Sequence, residues 1–185
     1  VATGGINGNL QKVRDNWYWG NPPADILNGS HPFCDGYMHD VVKGKGGSVT
    51  HLENMWNYAA GIPHPFPQFD GHGLSLIPCK SALWLDHAGN RIGPEPLITG
   101  FDTNDMCGRL SAMEKPWSWQ ILNWRIAARE FAISGAEHNP HIRDSHTFSF
   151  LKETLLGNHR LVRQMQEESD HFIVADTLAE LVQQM

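Results

Sequence analysis

The sequence lacks several features that would identify a protein class at once. It has only 3 cysteines in 185 residues, without a CxxC pair, so neither a disulfide framework nor a zinc ribbon is predicted. No apolar stretch approaches the ~20 residues that span a bilayer. Long basic runs are absent and the formal net charge is −6, which weighs against nucleic acid as a partner. A cytoplasmic protein without a membrane span is expected.

Motifs of common catalytic sites are also missing. The sequence contains no GxSxG and no GxxxxGK[ST], and none of its cysteines lies in a protease context. The glycine-rich segment 44–47 lacks the third glycine of a dinucleotide fingerprint, and it is typical of a helix end. Cys34, Cys79 and Cys107 are predicted to be small core residues. No set of catalytic residues is predicted from spacing alone.

Histidine is abundant, with 11 residues, so a metal site has to be considered. Two clusters have ligand-like spacing: His31 with Cys34 and His39, and His138 with His141. Neither supplies four ligands at a standard zinc spacing. A metal site is therefore not predicted, and a His/Cys metal protein is kept only as a third hypothesis.

Aromatic and other apolar residues are plentiful. Hydrophobic residues make up 41 % of the chain, including 7 Trp and 8 Phe, which predicts a folded domain with a full core. Trp119 is predicted to be a core residue in a strand. Trp56 and Tyr58 lead into a Pro-rich loop, where a core position and a place in an apolar ligand pocket are both open.

Local patterns predict an α+β fold, with a small mixed or antiparallel sheet and surrounding helices, because strands and helices follow no regular βαβ order. Asn9 is a predicted N-cap, and Thr177 with Glu180 forms a predicted capping box. Further helices are predicted at 35–44, 105–114, 125–134, 147–156 and 159–168. Strands are predicted at 48–53, 74–77, 119–122 and 171–175, with a hairpin from 81–86 to 91–92, and 61–73 is predicted to be an irregular loop.

Four segments also resemble, in order, the motifs of one known family. Val1–Gly5 followed by Asn9 is similar to an ATGG-x-x-x-N segment, and Cys34–Gly36 to a GDG helix start. The segment 82–92 resembles an LVN-x-x-G-x-RF hairpin, and 174–181 resembles an ADTLEEL helix start. Together they resemble the FAD-binding dehydrogenases of the fumarate reductase / 3-ketosteroid dehydrogenase superfamily.

The resemblance implies that the chain is an internal part of a larger flavoprotein. Residues 1–19 would be a remnant of the FAD-binding domain, and residues 20–185 would form the substrate domain that caps it. The missing FAD-binding halves of the same polypeptide would be its partners. The piece alone would be inactive.

The resemblance also implies where the cofactor lies. In the family, the ATGG backbone approaches FAD, and this role is transferred to Ala2, Thr3, Gly4 and Gly5. Glycine suits it because the absence of a Cβ lets backbone amides come close to a cofactor.

Departures from the family pattern indicate the substrate class. The His-Pro pair of fumarate reductases falls near Tyr58, unless His64 with its flanking prolines supplies it, and the arginine expected near Phe101 is absent. Because a dicarboxylate needs cationic partners, fumarate reduction is not expected. Trp56, Tyr58, Phe101 and Asp102 are the candidate substrate-binding residues.

The leading hypothesis is therefore an FAD-dependent oxidoreductase. It would move a hydride between flavin N5 and an apolar substrate, steroid-like or a cyclic ketone. The alternative is a stand-alone, non-catalytic domain that binds an apolar ligand or a partner.

Overall fold

Two small antiparallel sheets, each packed against helices, organise the chain. The computed structural model describes residues 4–77, 79–93, 103–133 and 139–185. Its strands are β1 (Gly61–Pro63), β2 (Gly73–Ile77), β3 (Leu83–Leu85), β4 (Trp119–Ile121) and β5 (Ala132–Ile133). Its helices are α1 (Leu10–Asp15), α2 (Tyr37–Gly44), α3 (Thr103–Ser111), α4 (Trp124–Glu130), α5 (Pro140–Arg143), α6 (Thr147–Leu156), α7 (His159–Glu168) and α8 (Leu178–Gln184). The predicted α+β class is confirmed.

The first core lies between one sheet and α7. This sheet has the order β1-β2-β5, with both pairings antiparallel. Leu74 of β2 contacts Leu161 and Met165 of α7, and all three side chains are buried. Phe131 and Phe172 pack against this cluster, and their rings meet edge to face at 5.3 Å. The core therefore joins β2 to the last third of the chain.

The second core lies between the other sheet and α3. β3 pairs with β4, and Trp84 of β3 packs on Met106 and Leu110 of α3. Cys107 is buried on the same helix, and Cys79 is buried ahead of β3. Burial raises the pKa of each thiol to about 11, so both remain protonated and inert at neutral pH. The core prediction is confirmed for these two cysteines but is wrong for Cys34, which is only half-buried.

Several helix ends are where local chemistry predicts them. Asn9 caps α1 by accepting hydrogen bonds from the amides of Gln11 and Lys12. The capping box predicted ahead of α8 is formed, with both of its reciprocal hydrogen bonds present. α6 and α7 have the predicted bounds and are separated by Gly157, whose φ of +99° suits glycine.

Two predicted strands are wrong, and one predicted helix ends earlier than expected. Residues 48–53 form no strand, and His51 within them has a φ of +60° that interrupts extended structure. Residues 171–175 form none either, since Phe172 packs on the first core instead of joining a sheet. The predicted helix 125–134 ends at Glu130, because the chain then turns into β5 to pair with β2.

The predicted loop and hairpin are correct only in part. Residues 61–63, placed in the irregular loop, form β1 against β2. The turn of the predicted hairpin is present, with Asp86 accepting hydrogen bonds from the amides of Ala88 and Asn90. Its return strand is reduced to one bridge between Leu85 and Arg91, because β4 is the main partner of β3. Among the described residues, no helix has the length and apolarity needed to span a bilayer.

Truncating Leu74 tests the first core. Leu74→Ala should lower the free energy of unfolding by about 2–5 kcal/mol, since it removes buried methyl groups and leaves a cavity. The matched control is Leu178→Ala on α8, whose side chain is 66 % exposed and whose loss should change stability by less than about 0.5 kcal/mol. Urea unfolding of this chain measures both. Equal effects would contradict the described core.

Candidate functional site

An exposed glycine turn begins the described part of the chain. Gly4 has a φ of +83°, a conformation that favours glycine. A Cβ placed on Gly5 would meet no atom within 4 Å, so the backbone there is open to close approach. On the other side, the Sγ of Cys34 lies 3.4 Å from the position of a Cβ on Gly4. The turn is thus supported on one side and open on the other.

The residues after this turn anchor it to α1. The Ile6 side chain is buried, and its carbonyl accepts a hydrogen bond from the amide of Asn9 at 2.9 Å. Asn9 is also the N-cap of α1, so the turn and the helix start are fixed together.

Two loops are hydrogen-bonded to adjacent residues of this segment. The side-chain amide of Asn7 donates to the carbonyl of Trp56 at 3.2 Å, and the backbone amide of Gly8 donates to the carbonyl of Cys34 at 2.9 Å. The second loop approaches so closely that a Cβ on Gly8 would lie 2.6 Å from the carbonyl oxygens of His31 and Pro32. Loops far apart in sequence are therefore held at one place.

Two further contacts hold α2 and its N-cap, one with Ile6 ahead of α1 and one with α1 itself. A Cβ on Gly36 would lie 2.8 Å from Cγ2 of Ile6, and Gly36 has a φ of +76°. Lys12 of α1 donates to the carboxylate of Asp40 of α2 at 2.6 Å. This hydrogen bond holds the pKa of Asp40 below its ordinary value. The ammonium group of Lys12 is thereby paired with a carboxylate of the same chain.

The two predicted aromatic residues that the structure describes point outward. Trp56 is 69 % exposed and Tyr58 is 40 % exposed, so neither belongs to the cores that the described residues form. Their rings stack with centroids 6.2 Å apart and an interplanar angle of 25°. Because the Trp56 carbonyl is bonded to Asn7, this aromatic pair lies beside the segment that follows the glycine turn. Large exposed rings beside an open backbone are typical of a ligand site.

Sequence reasoning missed two more exposed rings on the neighbouring loop. Phe33 is 83 % exposed and Tyr37 is 66 % exposed, on either side of Cys34–Gly36. Phe33 is held in a tight turn in which Cys34 donates to the carbonyl of His31 at 2.9 Å. The resemblance singled out Cys34–Gly36, and the aromatic residues flanking that motif were the available signal. We call Phe33, Tyr37, Trp56 and Tyr58 the aromatic rim.

Four predicted site residues lie outside the described part of the chain. Ala2 and Thr3 precede the described residues, and Phe101 and Asp102 fall in the gap between 93 and 103. Their predicted roles stay predictions. Gly4 and Gly5, by contrast, are described and exposed, as a role beside a cofactor requires.

His64, considered above as a substrate-binding histidine, has a structural role in the loop after β1. Its Nδ1 accepts a hydrogen bond from the amide of Phe66 at 2.9 Å, and its ring stacks on that of His72 at 4.2 Å. Both rings are buried, and the Nδ1 of His72 accepts from the amide of Gln68. These contacts fold the loop 64–72 and give each imidazole a structural role.

A cleft lies beside this histidine pair, and its lining is mixed. It has a volume of about 410 Å³, with Leu27, Pro63 and Phe69 among its apolar residues. The lining also includes Gln68 and Asp70. In the described ranges, no three His, Cys, Asp or Glu side chains are grouped so that they could hold a metal ion. The cleft therefore has room for a small molecule, but it lacks the convergent set of reactive side chains that a catalytic site needs.

Comparison with known proteins finds three relatives, each described as a KsdD-like steroid dehydrogenase. The chain is 35 % identical over 184 residues to a KsdD-like steroid dehydrogenase of Mycolicibacterium smegmatis, covering 98 % of this chain and 34 % of the relative. It is 36 % identical over 188 residues to a KsdD-like steroid dehydrogenase of Mycobacterium tuberculosis strain CDC 1551, covering 100 % of this chain and 33 % of the relative. A third, from strain H37Rv, is 40 % identical over 142 residues, 76 % of this chain and 25 % of the relative.

These matches confirm the resemblance to ketosteroid dehydrogenases drawn from the four motifs. The chain spans about a third of the length of the curated relatives that it matches over nearly all of its own residues. Neither a protein-family model nor a solved structure matches it.

Two glycine-to-alanine substitutions in one short segment test the junction of α1 and α2. Gly36→Ala should lower the free energy of unfolding by more than about 1 kcal/mol, because it combines a positive φ with a contact on Ile6. Gly44→Ala, at the end of α2 with open space around its Cβ position, should be neutral or stabilising by up to about 1 kcal/mol. Thermal unfolding separates the two. Similar midpoints would show that Gly36 is not constrained as described.

Proposed function

Because this chain is homologous to a third of the length of KsdD-like steroid dehydrogenases, we propose that the intact protein is an FAD-dependent dehydrogenase acting on an apolar, steroid-like substrate. A cyclic ketone falls in the same substrate class. One observation carries the proposal: the loop with the exposed rings of Trp56 and Tyr58 is attached to the segment after the open glycine turn, because the backbone carbonyl of Trp56 accepts a hydrogen bond from the Asn7 side chain.

The glycine turn fits a cofactor that approaches the backbone. Gly4 and Gly5 are exposed, and the Cβ position of Gly5 is open. The backbone of Ala2, Thr3, Gly4 and Gly5 would hold FAD through its amide groups, and the absence of a Cβ at Gly4 and Gly5 would let the cofactor come close. When bound, FAD supplies the hydride chemistry at its N5.

The aromatic rim would bind and orient the substrate. Trp56 and Tyr58 already stack on one another, so a flat ring system can extend this stack without a large loss of side-chain entropy. Apolar rings also exclude water from a reacting centre. Phe101 and Asp102 are proposed to complete this lining. An apolar substrate is favoured because the ring-rich site offers little to a dicarboxylate.

The chain would act as one part of a larger polypeptide. Residues 1–19 would belong to the FAD-binding domain, and residues 20–185 would form the substrate domain that caps it. The remaining FAD-binding parts would come from the rest of the intact protein, and the 185-residue chain alone would be inactive.

A non-catalytic apolar-ligand domain is the second candidate. The same exposed rings would serve it, since they need no cofactor to bind an apolar molecule. The two candidates differ in one property: only the first requires a flavin.

The visible absorption spectrum of the intact protein decides between the two candidates. We expect the two-band yellow spectrum of an oxidised flavin, bleached by dithionite. A colourless, folded protein that FAD cannot reconstitute would refute the dehydrogenase and leave the apolar-ligand domain.

Removing one ring of the rim tests its role in substrate binding. Trp56→Ala in the intact protein should raise KM for a steroid substrate about tenfold, equivalent to about 1.4 kcal/mol of lost stacking, and leave the flavin spectrum intact. Trp117→Ala is the matched control, because Trp117 is 44 % exposed but contacts Trp119 and His87 instead of the rim. Steady-state kinetics measures both. Unchanged KM in the Trp56 variant would remove this ring from the site.

A further inference from the structure

One face of α6 carries large apolar side chains that are exposed. Phe148 is 91 % exposed, Leu151 50 % and Leu155 74 %. Their spacing of three and four residues places them on one side of the helix. Leu156 extends the same apolar surface and is 63 % exposed. Contiguous apolar surfaces of this kind mark an interaction site in folded proteins.

The opposite side of α6 fixes this orientation. Glu153 is largely buried, and its carboxylate lies 2.9 Å from Nδ1 of His141 and 3.8 Å from Nε of Arg160. The side-chain amide of Asn158 donates to the same carboxylate at 3.3 Å. Rotating the helix to bury Phe148 would break all three contacts. The apolar face is therefore held outward by the fold.

We propose that the α6 face, defined as Phe148, Leu151, Leu155 and Leu156, packs against another part of the same polypeptide in the intact protein. This rests on the part of the proposed function that places the chain in a longer protein, and it is independent of the reaction. The curated relatives match this chain over only 34 % and 33 % of their length, so most of each lies outside the matched region. That portion is the covering chain to which the proposal commits.

Charge argues against two other occupants. A lipid surface is normally anionic, whereas this chain has a net charge of −6 and α6 carries Lys152 as its one basic residue. A second copy packed about a twofold axis would bring the same surface patch of each copy, with its Lys152, into one interface. Like charges brought together in an interface are unfavourable. A different segment of the same polypeptide need not bring a second Lys152 into the contact.

Hydroxyl-radical footprinting of the intact protein tests the proposal without any substitution. We expect Phe148 and Leu155 to be oxidised far more slowly than in the urea-unfolded protein, with the protection of Leu155 matching that of buried Leu74. The protection should not change on dilution. Oxidation at the unfolded rate would overturn the proposal, and so would protection that disappears on dilution, which would indicate a second copy.

A substitution pair gives a second measurement. Leu155→Glu in the intact protein should lower Tm by about 4 °C or more, since it places a charge in a packed contact, and Leu155→Met should retain Tm within about 2 °C. Equal Tm values in both variants and wild type would mean that α6 faces solvent, and would overturn the proposal. If Leu155→Glu fails to fold, the footprint of the wild type still decides. Neither measurement requires bound flavin or activity, so a failed dehydrogenase assignment leaves both interpretable.

Discussion

The candidate site depends on the close packing of the segment between Gly4 and Asn9. Adjacent residues, Asn7 and Gly8, bind the carbonyls of Trp56 and Cys34, which lie on two loops far from them in sequence. Neither loop carries regular structure at its contact point, so these few hydrogen bonds, with the buried Ile6 side chain, determine where the exposed rings lie. A loop positioned by backbone contacts can present large apolar groups outward, although burial would otherwise be favoured.

Local chemistry was sufficient to predict the helices near the C-terminus. Gly157 separates α6 from α7 because its φ is positive, and Thr177 with Glu180 starts α8 through a capping box. Each signal acts within four residues, so no distant part of the fold can easily override it. The family resemblance was confirmed in a different way: the relatives match nearly the whole chain in sequence.

Strand pairing and side-chain exposure could not be predicted in this way. β3 pairs with β4 more than thirty residues away, and β5 leaves a good helical pattern after Glu130 to reach β2. Such contacts depend on tertiary packing, which a local pattern does not encode. The same limit explains the site: Trp56 and Tyr58 had equal claims to core and pocket, and Phe33 and Tyr37 were overlooked. These four rings point outward because of the hydrogen bonds that position their loops, and the neighbouring residues in the sequence do not determine this direction.

Many of the apolar residues counted in the composition lie on the surface of the described part of the chain and not in its cores. A hydrophobic share of 41 % predicts one full core, yet the described residues form two small clusters around Leu74 and Trp84. Among these residues, exposed large apolar side chains outnumber the buried apolar ones. Single exposed apolar residues are ordinary, but a rim of four aromatic rings and one apolar helix face are concentrations. These exposed apolar side chains can still gain free energy by burial, and this is the physical basis of the binding roles that we propose for the aromatic rim and for α6.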